Sequence, residues 1–293
     1  MHVADTVGST AAIAWWIWPI ALFLTTFALG IVAVLSGVGG GVLFVPIVGS
    51  FFPFHLDFVR GTGLLLALSG ALSAAPSLLA SGLASLRLAM PFALVGSMAS
   101  IFGALLGLAL PAAMIQTALG IAILSIAALI WRAKRSEYPE VTAPDRLAAA
   151  LRLNGVFHDP ADSRDVHWQT HRTPAGLILF AGIGFLAGMF GLGAGWANVP
   201  VLNLVLGAPL KVSVATSGVV LSVVDTSAAW IYLHSGTVLP LIAVPSIVGV
   251  MLGAKIGARL LRVAPAATVR TLVIAMLMIA GARSILKGTG LWT

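Results

Sequence analysis

From Gly61 to Ala80, and again from Leu88 to Leu110, the chain runs without one charged side chain, and Val238 to Leu252 does the same. Apolar stretches near 20 residues match the length a helix needs to cross about 30 Å of hydrocarbon. Lipid offers backbone N–H and C=O groups no partners, so a spanning stretch must be helical or belong to a closed barrel. The rest of the chain agrees: 59% of its 293 residues are hydrophobic and 9% charged. A soluble domain carries about 25% charge, so the polar groups needed to cover a water-facing surface are missing. The expected fold class is an all-α polytopic membrane protein.

A formal net charge of +7 would suit nucleic acid if the basic residues formed one face. They sit instead at the ends of apolar runs and in one central stretch, which suits lipid headgroups and orientation signals. No nucleic-acid partner is expected. Trp15, Trp16 and Trp18 precede the first apolar run as an interfacial belt would. The chain has no cysteine, which excludes disulfides, thiolate metal sites and cysteine nucleophiles. The opening "MHVADTVGST" carries no Lys or Arg, unlike the start of a secretory signal peptide.

Shifted by 154 residues, the chain overlays on itself without a gap. Gly30, Gly37, Gly39, Gly41 and Pro46 fall on Gly184, Gly191, Gly193, Gly195 and Pro200. Thr62 falls on Thr216, and Pro91, Gly103 and Pro111 on Pro245, Gly257 and Pro265. Glycines and prolines held at one offset over about a hundred residues mark an internal duplication, a frequent architecture among secondary transporters. The division is a first transmembrane repeat over 1–131, a polar loop over 132–173 and a second transmembrane repeat over 174–293.

Residues 132–173 hold seven of the sixteen basic and six of the nine acidic residues. Within them, "APDRLAAALRLNG" reads as a short surface helix with Asp145 as N-cap and Asn154-Gly155 as stop. The remainder reads as solvated loop. His158, Asp159, Asp162, Asp165, His167 and His171 lack a convincing metal-ligand pattern, and neither metal nor cofactor is expected.

Each repeat contains three full-length spans, about 60–80, 87–110 and 112–131, then 212–233, 238–262 and 266–286. Ahead of each comes a glycine-broken pair, 14–36 with 42–53 and 174–189 with 196–207, whose second member is too short for a straight crossing. Each pair is either two crossings or a re-entrant hairpin, giving 8–10 membrane segments. Either way each repeat makes an odd number of crossings and the repeats are inverted; were only one member of each pair to cross, they would be parallel. With the central loop in the cytoplasm, twelve basic residues fall at cytoplasmic ends against three (Arg60, Arg283, Lys287) outside, Lys255 being set aside within a span. The expected location is the inner, plasma membrane with both termini outside.

Glycine costs about 1 kcal/mol relative to alanine in a helix interior, so "GVGGG" (Gly37 to Gly41) and "GLGAG" (Gly191 to Gly195) read as breaks. Irregular backbone at membrane depth survives only when buried in protein or lining a polar cavity. The matched breaks Gly37, Gly39, Gly40, Gly41 and Gly191, Gly193, Ala194, Gly195, each followed by Pro46 or Pro200, are therefore the candidate binding site. Helices starting after them would aim unpaired N–H groups and the positive dipole end at an anion. Asn198 adds an amide one turn on, Trp196 a wall, and Thr62, Thr216, Ser217, Ser69 and Ser222 hydroxyls. Asp225 is the one acidic residue inside a span, at a cost of about 2.5–3.5 kcal/mol. It suits proton coupling or a structural hydrogen bond, and Lys255 on the next helix either pairs with it or snorkels toward Arg259.

The segments "GVGGGVLFVP" and "GLGAGWANVP" resemble the TauE/SafE sulfite exporter family over nearly the whole chain outside the central loop. The resemblance implies an inner-membrane transporter, not an enzyme, that exports sulfite, an organosulfonate or a related small anion. Ala194 departs from the first copy, which has Gly40, so the half-sites need not be equivalent. Each elementary charge crossing 100 mV is worth about 2.3 kcal/mol, so a divalent anion leaving an inside-negative cell gains about 4.6 kcal/mol by the same rule. Import would require a coupled proton, a role open to Asp225. An anion channel with the same pore and a proton-coupled importer are the alternatives; an enzyme is disfavoured because no two carboxylates share a span.

Overall fold

The computed structural model describes residues 16–36, 40–80, 82–132, 139, 141–159, 164–260 and 266–291. The first five helices are α1 (Ile17–Ser36), α2 (Gly40–Phe51), α3 (Leu56–Ala80), α4 (Leu86–Ala109) and α5 (Ala112–Arg132). A polar insert follows, with α6 (Arg146–Ala150), β1 (Asn154–Asp159) and β2 (Arg164–Gln169). Then come α7 (Thr173–Phe190), α8 (Gly195–Pro200), a π-helical stretch (Val201–Val205), α9 (Leu210–His234), α10 (Pro240–Leu260) and α11 (Ala266–Gly288). Among the described residues α4, α7 and α9 are each long and apolar enough to cross a membrane.

The helices recur at the offset read in the sequence. α3 and α9 start and end 154 residues apart, and α1, α2, α4 and α5 correspond to α7, α8 with its π extension, α10 and α11. Packing exchanges with them: α1 lies on α10 as α7 lies on α4. Glycine permits both approaches, because backbones come close only where no side chain intervenes. A Cβ on Gly30 would stand 2.6 Å from the Val250 carbonyl oxygen, and one on Gly184 would overlap the backbone of Gly96, the residue equivalent to Val250.

Two helices pack against their own counterparts, in both cases antiparallel. The start of α3 meets the end of α9, where a Cβ on Gly61 would lie 2.9 Å from the Thr237 carbonyl oxygen. Just past the other end of α3, the Ser85 amide donates to Thr216 Oγ1 near the start of α9 (3.1 Å). Likewise Ser284 on late α11 donates to the Gln116 carbonyl on early α5 (2.9 Å).

Each broken pair leaves and returns at one end of the bundle. The Trp18 ring at the start of α1 lies tilted 6.1 Å from Phe52 and edge-on 5.7 Å from Phe54, just past the end of α2. In the second pair the His171 amide, ahead of α7, donates to the Leu206 carbonyl that follows the π stretch (3.0 Å). These two ends are opposite, since α9 begins beside the insert and finishes beside Gly61. At the Phe52 end, Arg283 Nε and Lys287 Nζ donate to the carbonyls of Ser50 and Gly49 (3.0 and 2.9 Å). These cations satisfy oxygens that the end of α2 leaves without intrahelical donors.

The insert corrects the expectation of a solvated loop in an all-α chain. Its helix α6 does begin at Asp145, but Asn154–Asp159 and Arg164–Gln169 form an antiparallel hairpin in register Asn154↔Gln169 to Asp159↔Arg164. Alternation places Trp168 inward with Leu153 and Ala148, in one apolar cluster with Leu202 and Leu206 of the bundle. Of the acidic and histidine residues weighed as ligands there, Asp162 lies outside the described residues.

Asp145 locks the insert onto the bundle. Its carboxylate accepts from the Ala148 amide that opens α6 and the Thr173 amide that opens α7 (2.6 Å each), and from the Thr173 hydroxyl (3.0 Å). Partial burial raises its pKa, but these donors and the nearby His171 charge outweigh that, holding it below the ordinary carboxylate value. A depressed folded-state value gives stability that is present above the ordinary carboxylate range and lost as pH falls through the lowered value. Asp145→Ala should therefore cost about 1 kcal/mol at neutral pH. Thermal melts should show the wild-type advantage shrink as the solution is acidified, and an advantage constant from neutral to strongly acid pH would contradict the assignment.

Candidate functional site

The second break is built by two left-handed glycines. Gly191 ends α7 with φ +68°, and Gly193 follows with φ +73°, a region that glycine enters at no steric cost and other residues rarely adopt. Ala194 then returns to right-handed geometry and α8 begins. Contact leaves no room for side chains. A Cβ on Gly191 would lie 2.6 Å from Arg60 Cα, and one on Gly193 would lie 2.6 Å from Ala67 Cβ and 2.9 Å from Asp225 Oδ2.

The start of α2 meets the second break. At the start of α2, a Cβ on Gly41 would stand 2.6 Å from the Leu192 carbonyl oxygen and 2.8 Å from that of Gly63. Gly40 faces Val250 across the same corner. Gly37 and Gly39 lie outside the described residues. Pro46 is buried within α2, which passes through it to Phe51 without interruption. Pro200 behaves otherwise: with its amide missing, the chain widens into the π register, and the Leu206 amide bonds back to Val201 (3.0 Å). The N-terminal dipole expected of α8 is correspondingly small, because the α-helix spans six residues. What the break offers is a particular amide rather than a long helix.

That amide is Ala194 N–H, and it points at a carboxylate. Asp225 Oδ1 accepts it at 3.3 Å. Asp225 is fully buried, and among the described residues its Oδ2 has no hydrogen-bond partner. Asn198, one turn into α8, is equally buried, and neither its Oδ1 nor its Nδ2 has a partner. The Thr62 hydroxyl is buried and unpartnered as well. Buried polar side chains are hydrogen-bonded as a rule, and an unmade bond costs about 1–3 kcal/mol. Asn198, Asp225 and Thr62 therefore leave three polar groups short of partners on the elements around the second break.

Other residues singled out in the sequence take different roles. Thr216 accepts from Ser85 and lies nine residues before Asp225 on α9, about 13 Å along the axis. Ser217 is buried beside it. Ser69 and Ser222 each donate to a carbonyl three residues back in their own helix, Leu66 and Val219. Trp196 is half-buried, its indole N–H without a partner among the described residues. With Ile121 and Ile126 of α5 and Leu186 of α7 it lines an apolar groove of about 540 Å³, a surface suited to hydrocarbon rather than to a charged solute. The Lys255–Asp225 pair does not form. Lys255 is exposed on α10, which packs chiefly on α1 and α3.

One buried charge escaped the sequence reading. Arg60, counted there among the outside cations, is 1% exposed. Its Nη2 lies 3.1 Å from Asp57 Oδ1 as an ion pair without hydrogen-bond alignment, and its Cζ lies 5.5 Å from the Tyr232 ring centroid. The Tyr232 hydroxyl donates to the Gly188 carbonyl at the end of α7 (3.0 Å). The i,i+3 spacing of Asp57 and Arg60 at the head of an apolar run was the available signal; its direction, inward rather than toward the headgroups, was not.

Apolar helices around a buried break packed on the start of α2 define a multi-pass membrane protein. The chain belongs to the sulfite exporter TauE/SafE family, whose model matches residues 22–284. It is also 29% identical over 133 residues to "Probable membrane transporter protein YunE" of Bacillus subtilis (strain 168). That match covers 45% of this chain and 48% of the relative, so the chain spans about half the length of the curated relative it matches. No solved structure matches it.

Proposed function

We propose that the protein is a secondary transporter of a small sulfur-containing anion, sulfite or an organosulfonate, working by alternating access between two inverted units. The observation that carries this reading is the carboxylate on the break: Asp225 holds the Ala194 amide at 3.3 Å while Asn198 stands unpartnered one turn away. A donor that holds a carboxylate is placed to hold a sulfite or sulfonate oxygen, and glycine lets such a group approach the backbone. Antiparallel packing of α3 on α9 and of α5 on α11 supports the inversion, because equivalent helices related by an axis in the membrane plane run oppositely. The insert then lies in the cytoplasm and both chain termini outside, in accord with the distribution of Lys and Arg.

Asp225 and the substrate compete for one amide. An isolated carboxylate buried among helices is costly unless paired or protonated, so a proton on Asp225 frees the Ala194 N–H for the arriving anion. Anion and proton then move together when flux is inward, whereas export of the anion down the membrane potential needs no proton. Enclosure of the break in this structure, with Leu192, Ala194 and Asn198 buried, corresponds to the state between the two openings.

Flux of sulfite or a sulfonate into proteoliposomes tests the reading. Wild-type protein should show saturable flux and counterflow. Asn198→Leu should raise the KM about tenfold or more, the loss of hydrogen bonding to a charged ligand. Absence of flux for both anions, or ohmic single-channel currents in place of counterflow, would overturn it.

A further inference from the structure

Arg60 carries more than its neighbours explain. It is the largest fully buried side chain among the described residues, and a buried cation is retained at low cost only when paired and fully hydrogen-bonded. Here neither Nε nor Nη2 has an aligned acceptor among the described residues. Its partner Asp57 is partly exposed, and its second oxygen lies 3.4 Å from His55 Nδ1. At the equivalent place in the second unit stands Val214, 48% exposed, so the repeat is built there without a cation. What distinguishes Arg60 is its position: Gly191, the first residue of the break, lies on its backbone.

We propose that Arg60 is an anion-binding residue at the outer approach to the break, held by Asp57 when no substrate is present and passed to the substrate as it enters or leaves. This rests on the transport reading above and adds a residue to it. Guanidinium is the group suited to this exchange, since its planar fork of N–H donors matches two oxygens of a sulfite or sulfonate group and stays charged when desolvated. Two donors without aligned acceptors define where those oxygens go. Asp57, being partly exposed and already beside His55, can release the guanidinium without itself becoming an isolated buried charge. The ring of Tyr232 backs the other side, and its hydroxyl is fixed on the Gly188 carbonyl. The first unit thus places a cation on the outer path where the second unit places none.

The test is concentration-dependent methanesulfonate flux by full-length protein in proteoliposomes, measured separately from each side of the membrane. Arg60→Gln should raise the KM from the Arg60 side about 10- to 100-fold, the size of a lost hydrogen bond to a charged group, while the KM from the insert side changes less than about threefold and the matching loss of kcat/KM from that side appears in kcat. Arg60→Lys, which keeps the charge but not the fork, should fall between. Asp57→Asn should lower the same KM, because it removes the competing carboxylate. If Arg60→Gln does not yield folded protein, Asp57→Asn decides: a lower KM supports the assignment, an unchanged or higher one overturns it. An unchanged KM in folded Arg60→Gln overturns it with the transport reading intact. Wild-type protein that moves neither sulfite nor methanesulfonate overturns both.

Discussion

Leucine at position 193 is expected to abolish anion flux while leaving the protein folded. Gly193 has φ +73°, where a side chain costs about 1–2 kcal/mol from backbone strain alone. The first added carbon would meet Ala67 Cβ at 2.6 Å and Asp225 Oδ2 at 2.9 Å, so the branched remainder of leucine must push α3 and α9 away from the break. Displacing the Ala194 amide by about 1 Å is enough to cost about 100-fold in a process that depends on position. Gly182, in the body of α7, supplies the control, since a Cβ there meets nothing within 4 Å. Gly182→Ala should transport as wild type does, and size-exclusion profiles should show both variants monodisperse. Wild-type flux from folded Gly193→Leu would remove the break from the transport path.

The second large effect belongs to Asp225→Asn. Asparagine keeps the shape and an oxygen to accept from Ala194 but binds no proton. If the carboxylate alternates between holding the amide and holding a proton, the variant loses the coupling while the site survives. Accumulation of sulfonate driven by a pH gradient should vanish, while exchange of labelled for unlabelled sulfonate continues at a substantial rate. Proton-driven accumulation equal to wild type would assign Asp225 a structural hydrogen bond instead. Lys255 is absent from this account because it lies exposed on α10, and Lys255→Gln should leave both measurements unchanged.

The sequence made the helices legible because their signals are coarse. Charge-free runs fixed α3, α4, α5 and their counterparts to within a few residues, and the offset of 154 recurs in the element boundaries. Three features were not legible, each for a physical reason. The hairpin of Asn154–Gln169 alternates polar with apolar residues, and its charges read as loop, yet Trp168 buries against the bundle. Pro46 and Pro200 are equivalent in sequence, but only the second is followed by a π stretch; the difference arises in tertiary packing, which a local pattern does not record. Arg60 looks like any cation near a span end, and burial depends on Asp57, Tyr232 and Gly191 converging from three elements. Within the candidate site, the glycines, Asn198 and Asp225 were legible as exceptions to an apolar background. Their pairing was not: the sequence left Lys255 open as a partner for the carboxylate, and the structure gives it a backbone amide.

A chain without cysteine allows the central claim to be tested at one atom. A single cysteine replacing Asn198 should react with a small water-soluble methanethiosulfonate while the transporter turns over, and excess methanesulfonate, which leaves thiols alone, should slow that reaction severalfold. His167→Cys, on the exposed hairpin of the insert, reports that labelling works and should show no such protection. Failure of the cysteine at 198 to react under turnover, or reaction at a rate indifferent to methanesulfonate, would mean that the paired breaks do not lie on the path of the anion.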